Sequence, residues 1–97
     1  MESFNKLAPS EVERLAVLNE ECGEVIQAIS KILRHGYESK WPREVGLTNR
    51  FKLEREIGHV LNALLLIQQD LNIGHVLDAL ADKKRDIIPF LHYQKND

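Results

Sequence analysis

Two nine-residue stretches of this chain carry nearly the same pattern, thirty-five residues apart. Glu21-Cys22-Gly23-Glu24-Val25-Ile26-Gln27-Ala28-Ile29 aligns with Glu56-Ile57-Gly58-His59-Val60-Leu61-Asn62-Ala63-Leu64. Each copy reads Glu-x-Gly-(Glu or His)-aliphatic-aliphatic-amide-Ala-aliphatic. On a helix, positions three apart share a face, so each copy aims two metal-ligand side chains the same way. One residue beyond each ligand pair lies an apolar pair, Cys22 with Val25 and Ile57 with Val60. If these apolar pairs pack together, the four ligand-type side chains converge at the edge of the seam. That is the geometry of a carboxylate-rich cation site between facing helices.

The helical reading is supported by periodicity. Leu15, Leu18, Cys22, Val25, Ile29 and Ile32 recur at spacings of three and four, as do Leu53, Ile57, Val60, Leu64, Ile67 and Leu71. Ser10 with Glu13 reads as a capping box, and Arg34-His35-Gly36 as a helix end, which predicts a helix over 11–35. Tyr37 to Leu47 has no periodicity and reads as a loop carrying two aromatics. Thr48 or Asn49 caps a second helix over 49–71, ended by Asn72. A third runs over 74–88, with Val76, Leu77, Leu80 and Ile87 inward and Pro89 stopping it. Val60 to Ile67 is apolar nearly all round except Asn62, so it must be buried on several faces. One short chain cannot cover it. The expectation is an all-α fold: a helical hairpin plus a third helix, with a four-helix-bundle core completed by a homodimer or homotetramer. Leu61 and Leu65, off the main seam, are expected to face another subunit.

Composition removes several alternatives. A 97-residue chain is expected to form one domain (residues 1–97), and a net charge of −2 gives no electrostatic case for nucleic acid. The one cysteine, Cys22, excludes an intramolecular disulfide and fits a reducing cytoplasm. No signal peptide is legible at the amino terminus, and the apolar run from Ala63 to Ile67 is too short to span a membrane.

Glu20, Glu21 and Glu24 taken alone read as a solvated acidic face. Their crowding of the apolar seam, and the recurrence of the spacing at Glu56 and His59, favour a metal role, because carboxylates brought together repel unless a cation or catalysis needs them. His59 is either a hydrogen-bonded core histidine or a ligand in the slot equivalent to Glu24. Imidazole suits Mn²⁺, Fe²⁺, Co²⁺ or Zn²⁺ better than Mg²⁺. Gly23 and Gly58, mid-helix in matching positions, are expected to let two helix backbones approach. Lys31, Arg34 and His35 follow the first acidic group, and Lys83, Lys84 and Arg85 cluster on the third helix. Such cations are usually solvated, but beside a bound metal they are what a polyphosphate needs. Tyr37 and Trp41 either stack a base or plug the loop onto the bundle. His75 and His92 have no ligand spacing and read as structural.

Helical Glu-Glu-x-x-Glu followed on a later helix by Glu-x-x-Asp is the signature of the all-α nucleotide pyrophosphohydrolases, which include the MazG-like proteins, dimeric dUTPases and phosphoribosyl-ATP pyrophosphohydrolase. Glu20-Glu21-Cys22-Gly23-Glu24 carries the first motif complete. The second stands as Glu56-Ile57-Gly58-His59, with histidine for aspartate. Over about residues 10–86 the chain resembles short, single-domain MazG-like sequences. The resemblance implies Mg²⁺-dependent cleavage between the α- and β-phosphates of a nucleoside triphosphate. It further implies that Glu21, Glu24 and Glu56 hold the metal, with His59 at the fourth ligand's position. Glu20, with Glu21 sharing, is the candidate to orient or deprotonate water, and Lys83 or Arg85 are the phosphate contacts. The histidine puts Mg²⁺ affinity and full activity in question and makes Mn²⁺ a possible or preferred ion. Two other readings remain. One is a non-catalytic family member that binds a nucleotide or protein. The other is a di-iron carboxylate bundle, since Glu56-x-x-His59 also fits that motif.

Overall fold

The computed structural model describes residues 4–40 and 46–94, and within them it is helical. Helix α1 spans Pro9–His35, α2 spans Asn49–Ile67 and α3 spans Ile73–Asp86. Short 3₁₀ turns follow at Gln68–Asp70 and Ile88–Phe90. Trp41, one of the loop aromatics, lies outside the described residues.

The helix ends follow local chemistry, with four corrections to the sequence reading. Helix α1 begins before Ser10, because Pro9 takes the first helical position and Ala8 becomes the cap. Glu11, not Glu13, closes the turn: its carboxylate accepts from the Ala8 N–H at 2.8 Å. At the other end Gly36 adopts φ 87°, a conformation that favours glycine, while its N–H donates to the Ile32 carbonyl at 2.7 Å. Thr48 caps α2 by accepting from the Phe51 N–H at 3.1 Å. Helix α2 ends at Ile67 rather than Leu71, and Asn72 opens α3 instead of closing α2, accepting from the His75 N–H at 3.2 Å.

Helices α1 and α2 form an antiparallel hairpin, and theirs is the main helix–helix contact. Among the described residues its buried apolar side chains are Ala28, Ala63 and Ile67. The small alanines let the two helices approach at two levels of the hairpin, Ala28 at the pocket shared with Lys52, Arg55 and Glu56. Of the expected seam only Ile67 is buried in this interface. Leu15, Ile29, Ile57, Leu64 and Leu71 stay 41% to 49% exposed. A three–four spacing marks the line that points at the centre of a four-helix bundle, which runs diagonal to any single neighbour. In one hairpin that line falls on a flank. The inward assignment of Val76, Leu77 and Leu80 is corrected for the same reason: all of α3 is exposed, and it does not pack along its own hairpin.

The result is far more open than the chain length allows for a closed domain. The radius of gyration is 17.4 Å, against about 12.5 Å expected for a compact chain of this length. The accessible surface is 8326 Å², about 2,600 Å² more than a folded monomer of this mass exposes. No described helix is long and apolar enough to cross a membrane. At the end remote from the loop, Arg14 makes a two-pronged ion pair with Asp70 at 2.7 and 2.8 Å, tying the start of α1 to the end of α2.

Candidate active site

The hairpin has two unlike flanks because the same two helices turn different residues to each side. On one flank Cys22, Val25, Ile26, Ile57, Val60 and Leu61 line an apolar trough of about 250 Å³. On the other the charged side chains collect. Glu21 and Glu56, from corresponding places in the two motif copies, meet across the hairpin, and His59 leans over both. Its Nδ1 lies 3.4 Å from Glu21 Oε2 and 3.3 Å from Glu56 Oε2. One donor atom from each of the three fits within a 4.8 Å cluster. The carboxylates are largely covered while the imidazole is half exposed, so the cluster is walled beneath and open above.

Glu24 stands one turn along α1 and is not part of that trio. It borders an adjoining pocket of about 140 Å³ with Gln27, Ala28 and Lys31 from α1 and Asn49, Lys52, Arg55 and Glu56 from α2. Glu56 borders both cluster and pocket. Two of these residues are buried polar side chains, Asn49 at 3% exposed and Lys52 at 8%. Asn49 Nδ2 donates to the Gly36 carbonyl at 3.1 Å, fastening the end of α1 to the start of α2, while its buried Oδ1 has no hydrogen-bond partner. Nearby, the Arg50 guanidinium covers the Tyr37 ring at 4.2 Å and donates to Glu38 at 2.7 Å, so Tyr37 braces the loop.

The sequence-predicted residues therefore divide. Glu21, Glu56 and His59 come together, and Glu24 and Lys31 line the pocket beside them. Glu20 is exposed on α1 outside both groups, and Arg34 is exposed in the last turn of α1. Lys83 and Arg85 lie on α3, which leaves from the opposite end of α2, about 20 Å along the axis from Lys52. Arg85 there pairs with Asp86 at 2.8 Å and with Asp82 at 3.5 Å. Within one protomer they do not reach the pocket. The glycine expectation is corrected: a Cβ at Gly23 or Gly58 would meet nothing within 4 Å. Each stands two residues past a motif glutamate, about 200° around the helix, and so turns away from the partner helix. Lys52, Arg55, Asn49 and Gln27 were missed. The signal was available for Lys52, which precedes Glu56 by one turn on the same face, as Glu24 precedes Ala28.

Two carboxylates and an imidazole, with a further carboxylate one turn away, suit a divalent cation that accepts mixed nitrogen and oxygen donors. A helical hairpin with such a cluster beside a pocket of mixed charge is an all-α arrangement whose side chains could hold a divalent cation. The sequence pattern of the MazG nucleotide pyrophosphohydrolase domain matches residues 10–89, most of the chain. The protein belongs to that family, whose members are hydrolases and typically depend on a metal. No curated protein and no solved structure matches the chain.

Proposed function

We propose that this protein hydrolyses a nucleoside triphosphate between its α- and β-phosphates, giving a nucleoside monophosphate and pyrophosphate. The observation that carries this is the convergence of Glu21, Glu56 and His59 within 4.8 Å, beside a pocket bordered by Lys31, Lys52 and Arg55, in a chain of the MazG family. Glu21, Glu56 and His59 would hold the cation, with Glu24 the nearest further carboxylate. A bound divalent ion neutralises phosphoryl oxygens and makes a bound water more acidic. Glu20, next to Glu21 in sequence, is assigned to orient or deprotonate that water, with Glu21 sharing the work. The water oxygen bonds to the α-phosphorus, its proton passes to a carboxylate, and the bridging oxygen departs on pyrophosphate with the electron pair. Because one donor is imidazole, Mn²⁺ is favoured over the family's Mg²⁺.

The functional unit is a homo-oligomer, a homodimer or homotetramer, with residues 1–97 contributing one helical unit to it. The surface excess of about 2,600 Å² is roughly three times what a standard interface takes from one partner. Lys83 and Arg85 contact phosphate only from a neighbouring protomer. The protein works in the cytoplasm, where Cys22 stays reduced. A second reading, a non-catalytic nucleotide-binding member, is favoured by the imidazole of His59 standing where the family places a carboxylate.

A panel of nucleoside triphosphates with Mg²⁺ or Mn²⁺, read by pyrophosphate release, decides between them. At least one nucleotide should turn over, and Glu56→Gln should lower that turnover about a hundredfold or more, since metal-assisted charge stabilisation supplies several kcal/mol. Nucleotide binding with no pyrophosphate released under either metal selects the second reading.

A further inference from the structure

The apolar flank of the hairpin and the inner side of α3 form one continuous surface. The trough of about 250 Å³ joins α1, through Cys22, Val25 and Ile26, to α2. A second hollow of about 440 Å³ joins the far half of α2, through Leu65, to Val76 and Leu77 of α3. Leu61 lines both hollows. Helix α2 therefore runs down the middle of this surface, with α1 on one side, α3 on the other and Leu61 at the centre. None of the described residues lining either hollow is charged.

Two observations say that a further protein surface covers this face. Helix α3 has 14 residues, too few to hold a helix in water unless its apolar side is packed, yet its stripe of Ile73, Val76, Leu77 and Leu80 is 43% to 65% exposed. The chain also exposes about 2,600 Å² more than a folded monomer of its mass. Shared between two copies, that excess comes to about 5,000 Å², the size of an obligate homodimer interface. The face offers no charge by which a foreign partner would be selected. It does carry both hollows and the exposed leucines that fill hollows, Leu61 at 57% and Leu65 at 65%. Such a surface is complementary to itself, as two-fold packing requires.

We infer that this face is an isologous interface between two copies of the chain, with the two-fold axis passing beside Leu61. The inference deepens the proposed assembly and rests on it, but not on the hydrolysis. In a two-fold interface the same patch is used by both copies, so its centre packs against the centre of the other copy. Leu61 then meets its own equivalent, and the α3 stripe, off centre, is covered by the other copy's hairpin. The charged flank faces the other way and stays open to ligand.

The native chain supplies one test through Cys22, its one cysteine, which lines the trough. Where light scattering shows the oligomer, this thiol should react with a disulfide reagent about tenfold or more slowly than the exposed thiol of a Cys22→Ser, Glu13→Cys variant. The second test is Leu61→Cys in the Cys22→Ser background, a full chain with a single thiol at the proposed axis. On oxidation most of its chains should become covalent dimers that a reductant separates, while the Glu13→Cys chain, its thiol on the first turns of α1 outside both hollows, should stay single. If Leu61→Cys does not fold, the protection of Cys22 carries the decision. A folded Leu61→Cys chain that assembles without cross-linking, or a Cys22 as reactive in the oligomer as the Glu13→Cys thiol, overturns this interface and leaves the assembly resting on another face. A native chain that is a stable monomer removes both.

Discussion

The two flanks of the α1–α2 hairpin are made by the same turns of the same helices and have opposite characters. One presents Glu24, Lys31, Lys52, Arg55 and Glu56 around a small charged pocket, with His59 beside Glu56. The other presents Cys22, Val25, Ile26, Ile57, Val60 and Leu61 around a trough without charge. Between them lies a thin interface in which two alanines and Ile67 do the apolar packing. The polar flank draws its charged groups together within one chain: an imidazole lies over Glu21 and Glu56, and Lys31 and Lys52 share a pocket with Glu24 and Glu56. The apolar flank is left open. Leu61 and Leu65 are 57% and 65% exposed, and α3 turns a further stripe of Val76, Leu77 and Leu80 to solvent. Exposed apolar surface on that scale is what the proposed assembly would cover. The difference teaches that the repeated ligand motif is satisfied within the hairpin, while much of the periodic seam is left on its open flank.

The contrast breaks most readily on its apolar side. Leu61→Asp places an unpaired charge where a partner subunit is expected. It should dissociate the oligomer and cost about 3 kcal/mol or more, roughly 10–20 °C in melting temperature for a domain of this size. Glu24→Gln, on the opposite flank, should leave the assembly intact. Light scattering with thermal melts reads both. A native chain that is a stable monomer at micromolar concentration, or a Leu61→Asp variant with unaltered mass and melting point, removes the distinction between the flanks.

A smaller effect is expected at His59, the one position where the polar flank leaves the family pattern. His59→Asp replaces a nitrogen donor by a hard oxygen and adds a negative charge, both of which favour Mg²⁺. The ratio of Mn²⁺- to Mg²⁺-supported activity should exceed one in the native protein and fall several-fold in the variant. A ratio untouched by the substitution, with lost stability in its place, makes His59 a packing residue.

The smallest effect belongs to the pair that closes the hairpin's far end. The hydrogen bonds from Arg14 hold the Asp70 carboxyl below its ordinary value of 3.8, with the charge of Arg14 adding to them. A carboxylate whose folded value is lowered stabilises fully above the unfolded value, and that contribution is lost as pH falls through the folded one. Melting temperature should therefore fall as pH drops below about 3.8, and part of that fall should be missing in Asp70→Asn, which also melts slightly lower at neutral pH. Parallel acid profiles for the two proteins would show that the pair adds nothing measurable.

Much of this was written in the chain. The repeated Glu-x-Gly motif with its i, i+3 spacing fixed which side chains share a helix face. A loop of limited length between the helices made the antiparallel hairpin nearly obligatory. Those two facts led to the expectation that Glu21, Glu24, Glu56 and His59 converge, and three of the four do. Helix caps were less legible: Ser10 and Asn72 are both good capping residues, but Pro9 took the first position of α1 and the 3₁₀ turn at Gln68–Asp70 ended α2 early. Only the tertiary structure decided how far each helix is rotated about its own axis. That rotation buried Ala28, Ala63 and Ile67, left several residues of the apolar seam half exposed on a flank, turned Gly23 and Gly58 outward, and carried Lys52 into a pocket no pattern had singled out. Sequence spacing gives the angles between side chains on one helix. The angle between one helix and the next is set by which side chains pack most closely when the helices meet, and that is a property of both together.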